Sequence, residues 1–168
     1  MEGWIKLIFD EAAKGNPGAT GYGCIVWKDT RDIMDSVSGN TGIASNNEAE
    51  EMALARGLRF CVDNEFTSVE IEGDSQIIIN TTKNNLTPNW KLRRYLVDIA
   101  MHLNQLQNYK IYHTFREANK AIDYLSNVGV SLESYTEKIL TFDWQNELKQ
   151  IVNDDLAESV YKVKSEIV

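Results

Sequence analysis

The chain has 168 residues, 43% hydrophobic and 25% charged, which suits one ordinary domain with a complete core. A net charge of −8 argues against strong general affinity for nucleic acid without excluding it, because bound divalent cations would offset clustered acids. No apolar run approaches membrane-spanning length, and the N-terminus lacks the basic-then-apolar pattern of a signal peptide, so neither a membrane partner nor secretion is expected. Cys24 and Cys61 sit in apolar segments without metal-ligand spacing and read as buried free thiols of an intracellular protein, cytoplasmic or nuclear.

The first predicted strand, Ile5 to Asp10, alternates apolar residues with Lys6 and Asp10 and runs into Gly15-Asn16-Pro17-Gly18. That tetrapeptide supplies the fixed and permissive φ values of a sharp reversal. A second strand over Gly21–Trp27 and a third over Ile33–Ser38 follow by short links, the pattern of an antiparallel meander. Ser45 and Glu48 have the spacing of a capping box and open a helix that runs to about Val62. A strand from Ser68 to Glu72 comes next, then a helix capped at Gly73-Asp74-Ser75 and a polar loop over 83–89. Trp90 to Leu106 reads as an amphipathic helix, Tyr109 to Phe115 as the last strand, and Ala118 to Val128 as a helix closed near Gly129.

The order βββαβαβα predicts an α/β fold with a five-stranded mixed sheet flanked by helices. Beyond Ser131 the apolar residues Trp144, Leu148, Ile151, Val152, Leu156, Val160 and Val163 recur at three- and four-residue steps. The reading is one domain over 1–131 and a helical C-terminal extension over 132–168. The amphipathic face of that extension needs a partner, either the domain's own sheet or, by self-association, a second chain.

Four acids stand apart. An acid at the mouth of a buried strand, like Asp10, is costly unless something positive sits on it, although strand-end acids also serve turns. Glu50 shares a helix face with Leu54, Leu58 and Cys61 and so points towards the sheet, whereas Glu48 already accounts for the cap. Asp74 alone reads as a helix N-cap, and Asp123 alone as a solvated helix residue. Jointly they differ, for if the first and fourth strands are neighbours all four can converge on one end of the sheet. Converging carboxylates repel unless hard cations sit between them, and oxygen-only ligands select Mg²⁺ or Mn²⁺.

Phe9-Asp10 with Gly15-Asn16-Pro17-Gly18, then Ser45-Asn46-Asn47-x-x-Glu50, resembles the ribonuclease H type 1 family. Glu72-Gly73-Asp74-Ser75 and His113-x-x-Arg116-Glu117-x-Asn119-x-x-x-Asp123 complete the likeness, which covers roughly residues 4–130. The last motif resembles the plant retroelement-derived, reverse-transcriptase-like branch. The resemblance implies a ribonuclease H-like fold in which Asp10, Glu50, Asp74 and Asp123 are catalytic carboxylates holding two Mg²⁺ ions, with Mn²⁺ as a substitute. It also implies that Asn16, Ser45, Asn46, Asn47 and Gln76 touch the sugar edges and phosphates of an RNA–DNA hybrid. His113 takes the place of a proton-handling histidine, though its apolar strand also suits a core histidine. Arg116 would assist near the leaving group or form a plain surface ion pair.

The function implied is two-metal hydrolysis of the RNA strand of RNA–DNA hybrids, leaving 5′-phosphate and 3′-hydroxyl ends. Glu11 stands where the family usually keeps Gly or another small residue, and the basic protrusion of some members is absent. These departures and the net acidity support a rival reading, a catalytically weak or inactive nucleic-acid-binding module, and the C-terminal helix supports a third, an interaction scaffold.

Overall fold

The computed structural model describes residues 3–28, 33–73, 93–113 and 120–139, together with 146, 148, 150, 151, 153 and 154. Strands β1 (Ile5–Gly15), β2 (Gly18–Lys28) and β3 (Ile33–Ala44) form the expected meander. Helix α1 (Asn46–Asp63) follows, then β4 (Ser68–Gly73), α2 (Arg93–Leu103), β5 (Asn108–His113), α3 (Lys120–Val130) and β6 (Glu137–Ile139). The sheet order is β5-β4-β1-β2-β3-β6, with β1 parallel to β4, β4 parallel to β5, and the other pairs antiparallel. The first and fourth strands are therefore neighbours. The helix reading over 74–82 lies outside the described residues.

Two cores sandwich the sheet. Leu7 and Phe9 of β1 pack with Ala53, Leu54 and Leu58 of α1 and Ile99 of α2 on one face. On the other, Ile8 and Ile25 pack with Ala121, Ile122 and Leu125 of α3. The alternation along β1 thus feeds both cores, which is why that strand is apolar on most positions.

The structure departs from the sequence reading on one side. A sixth strand, β6, joins the sheet, and the segment read as purely helical beyond 131 begins with it. The strand β3 also runs past Ser38 to Ala44, through Gly39-Asn40-Thr41-Gly42, which has the composition of a loop. Tertiary contacts hold this stretch extended. A Cβ on Gly39 would lie 2.2 Å from the Tyr22 ring, so only glycine fits there. The Asn40 side-chain amide donates to the carbonyls of Gly129, Val130 and Leu132, and its backbone N–H donates to Thr136 O at 2.9 Å. With Glu137 paired to Gly39, only three residues were left to announce β6, too few for a visible alternation.

Glu137 also closes a charged clasp. Its carboxylate accepts from the Tyr22 hydroxyl and from Arg56 Nε at 3.2 Å, while Arg56 lies 3.9 Å from Asp35. Further on, Leu148 is fully buried in the α3-side core and Ile151 packs against it. Of the two partners open to the amphipathic extension, these positions use the chain's own sheet. No described helix is long and apolar enough to cross a membrane.

Candidate active site

Asp10 lies in the middle of the sheet, on β1, with only 4% of its surface exposed. Its antiparallel partner is Gly23, whose Cβ, if present, would meet Leu125 and Ser126 of α3. Directly opposed residues share a sheet face, so Asp10 points to the α3 side. The backbone N–H of Glu11 donates to Asp10 Oδ1 at 2.9 Å, fixing the carboxylate in place. By alternation Glu11 projects to the opposite, α1 side, across from Tyr22, where it is buried in turn.

Asp123 falls in the first turn of α3, on Asp10's side of the sheet. Its exposed carboxylate accepts from Asn127 Nδ2 at 3.2 Å. Glu50 arrives from the other layer, on α1, and is buried along with Leu54, Leu58 and Cys61 as the helical spacing predicts. Asp74, the fourth acid, lies outside the described residues, as do Gln76 and Arg116. Among the described residues, no three His, Cys, Asp or Glu side chains form a group that could hold a metal ion by themselves. The donors nevertheless suit a hard divalent ion in kind. Asp10, Glu50 and Asp123 offer only carboxylate oxygens, and two of the three are shut away from water, where a charge needs a close counterpart.

The polar residues of the resemblance gather at the β1–β2 hairpin tip and the start of α1. Gly15 pairs with Gly18 around the Asn16-Pro17 turn. Asn46 N–H donates to Asn16 Oδ1 at 3.4 Å, bridging the hairpin tip to the start of α1. Ser45 forms the expected capping box, accepting from Glu48 N at 3.3 Å while its own N–H donates to Glu48 Oε2 at 2.9 Å. Its hydroxyl also donates to Glu48 Oε2 at 2.8 Å. Asn46 Oδ1 has no hydrogen-bond partner. Asn47 is half-buried in the same first turn. His113 ends β5 opposite Gly73 and is half-buried.

One acid escaped the sequence reading. Glu51, next to Glu50, is fully buried and neither carboxylate oxygen has a hydrogen-bond partner. Burial, with the nearby Glu48 charge adding to it, pushes its carboxyl up to about 8. Its spacing of three and seven residues to Leu54 and Leu58 puts it on the same helix face as Glu50, so the apolar stripe that singles out Glu50 marks Glu51 as well.

A mixed sheet led by an antiparallel meander, with acids on its central strand and on helices of both layers, defines the ribonuclease H class. This chain belongs to the reverse transcriptase-like family, whose model matches residues 9–129. It is 32% identical over 131 residues to a protein of Arabidopsis thaliana named "Putative ribonuclease H protein", a match covering 77% of this chain and 21% of that one. Ribonuclease HI of Halobacterium salinarum is 32% identical over 130 residues, across 74% of this chain and 63% of its own. The chain thus spans less than two thirds of either relative's length. The crystal structure of RNase H1 from the same archaeon superposes with a TM-score of 0.70 at 30% identity, over 77% of this chain and 98% of that one. That of LC11-RNase H1 in complex with an RNA/DNA hybrid gives 0.69 at 25% identity, over 76% and 96% respectively.

Proposed function

We propose that the chain is a metal-dependent endoribonuclease that cuts the RNA strand of RNA–DNA hybrids. The observation that carries this is Asp10, a carboxylate buried on the central strand of the sheet, in a chain whose relatives are ribonucleases H. Short amides at the hairpin tip and helix start suit a 2′-hydroxyl, the group that distinguishes RNA from DNA. Asn16, Asn46, Asn47 and Ser45 would set the RNA strand's register, with Gln76 adding to them.

Asp10, Glu50, Asp74 and Asp123 would hold two Mg²⁺ or Mn²⁺ ions. When bound, these supply an activated water and stabilise the departing 3′-oxygen, giving 5′-phosphate and 3′-hydroxyl ends. The Glu11 N–H keeps the Asp10 carboxylate oriented before substrate arrives, so less reorganisation is left for the reaction. Glu50 sits on a helix whose start is fixed by the Ser45–Glu48 box, which would hold it in place for a metal ion. His113 and Arg116 are assigned proton handling and contact near the leaving group.

Cleavage of a labelled hybrid and of the same-sequence RNA duplex, with Mg²⁺ and with chelator, tests the reading. Hybrid cutting that needs Mg²⁺ and spares duplex RNA is expected; products formed equally well in chelator would sink it. Glu11 favours a second reading, a hybrid-binding module with little turnover, in which hybrid binds but no Mg²⁺-dependent product forms. Residence inside the cell is proposed from the two free, buried cysteines.

A further inference from the structure

Asp10 and Asp123 stand on the same side of the sheet but differ in how they are held. Asp10 is buried on β1, whereas Asp123 is exposed in the first turn of α3. An aspartate in water swings between staggered rotamers, and each swing carries its oxygens to a new place. A donor set that closes on a hard cation loses affinity if one member must first be ordered. The ordering of Asp123 can be followed back to the sheet.

The backbone of α3 is seated hard on β2 and β3. A Cβ on Gly23 would lie 2.8 Å from Leu125 Cβ and 2.9 Å from Ser126 N, and one on Gly21 would lie 2.6 Å from the Ser126 carbonyl oxygen. The helix therefore comes as close as two glycines permit. From β3, the Ser38 hydroxyl donates to the Leu125 carbonyl. Ser126 is itself buried, and its hydroxyl donates to Asp123 O at 3.0 Å. The Asn127 amide then reaches back one turn and spans both parts of Asp123. Its Nδ2 donates to the backbone O at 2.8 Å and to the carboxylate Oδ1 at 3.2 Å. One nitrogen thus ties the carboxylate to its own peptide group, whose place the sheet dictates. Among the described residues Asp123 Oδ2 accepts no hydrogen bond, so that oxygen is the one available to a cation.

We propose that Asn127 is a positioning residue for Asp123, its amide holding the carboxylate in one rotamer and so setting the affinity of the site for a divalent ion. The inference rests on the metal-dependent function proposed above and assigns a role to a residue that acts through another. Asp10 supplies the parallel, since the Glu11 N–H donates to its Oδ1 at 2.9 Å. A backbone donor orients the buried acid, and a side-chain donor orients the exposed one. An amide suits the task because it donates without a positive charge, which a lysine at the same place would set against the cation. The plain alternative is a contact between residues four apart that merely steadies the helix.

The test compares the full wild-type chain with Asn127→Ala and with Asn127→Gln, which keeps the amide donor. Electron paramagnetic resonance of free Mn²⁺ measures ion binding without substrate, and a thermal melt in chelator reports the fold. Alanine is the better helix former, so Asn127→Ala should melt near the wild-type temperature. It should nevertheless bind Mn²⁺ about tenfold more weakly, the scale on which outer partners of metal ligands act. Asn127→Gln should recover most of that loss. In hybrid cleavage the half-saturating Mg²⁺ concentration should rise by the same factor in Asn127→Ala, with kcat regained at saturating Mg²⁺. Unchanged Mn²⁺ affinity in Asn127→Ala, whether or not its melting temperature falls, would overturn the positioning role and leave the nuclease reading standing. A wild-type chain that binds no Mn²⁺ and cuts no hybrid would remove both.

Discussion

The two halves of helix α1 treat charge in opposite ways. Its first turns bury Glu50 and Glu51, and Glu51 has no hydrogen-bond partner for either oxygen. Two turns later Arg56 is placed between two acids, Glu137 of β6 and Asp35 of β3, with the Tyr22 hydroxyl bonded to the first. Buried charges ordinarily have a counterpart, and around Arg56 they do, although Asp35 Oδ2 lies within ion-pair distance of Arg56 without a hydrogen bond. Glu51, in the earlier half beside Glu50, has no such counterpart for either oxygen. One helix thus holds an ion-pair clamp at its middle and a buried carboxyl that burial keeps protonated near its start.

The comparison is broken most directly at Asp10. Asp10→Asn should lower hybrid cleavage by roughly a thousandfold or more while leaving the melting temperature near that of the wild type. A gel assay and a thermal melt check the two halves, and near-wild-type cleavage would refute the assignment.

Glu51 offers the next largest effect. Its native carboxyl is raised from 4.5 to about 8, so the folded state holds that proton more tightly than the unfolded one. The linked stability is complete below about pH 4.5 and is lost as pH climbs towards 8. Glu51→Gln should therefore flatten the stability-versus-pH curve over that window and stabilise the protein above it by on the order of 2–4 kcal/mol. Urea melts in chelator at pH 5 and pH 8.5 measure it, and equal differences at both would count against a proton-linked acid.

At the clamp, Glu137→Ala removes the acceptor shared by Arg56 and Tyr22 and should cost about 1–2 kcal/mol, since the carboxylate is partly exposed. Cleavage by the folded fraction should be unchanged, as kinetics below the melting transition would show. A matching fall in kcat would mean that the two halves of α1 are coupled. Ser45→Ala is the mildest, with a loss of about 1 kcal/mol for the missing cap and a several-fold rise in KM if Ser45 also touches substrate.

What could be read from the sequence was whatever local spacing dictates. The capping box, the Glu50–Leu54–Leu58 stripe and the Gly15–Gly18 reversal each follow from neighbours in the chain, and each is present. The extension of β3 through Gly39 and Asn40 depends on Tyr22 and on carbonyls some 90 residues away, information that no local window contains. The same holds for β6, which is a strand because β3 offers an edge and Arg56 offers a charge.

Asn40 carries a last consequence. A single side-chain amide gathers three carbonyls at the close of α3, and the chain leaving it is laid along β3. Ending the polypeptide at the limit of the family match would leave β3 an open border, its row of donors and acceptors offered to any passing strand. Such a shortened protein should precipitate on concentration, and light scattering would reveal it, if the short strand Glu137–Ile139 guards that border against self-templated clumping.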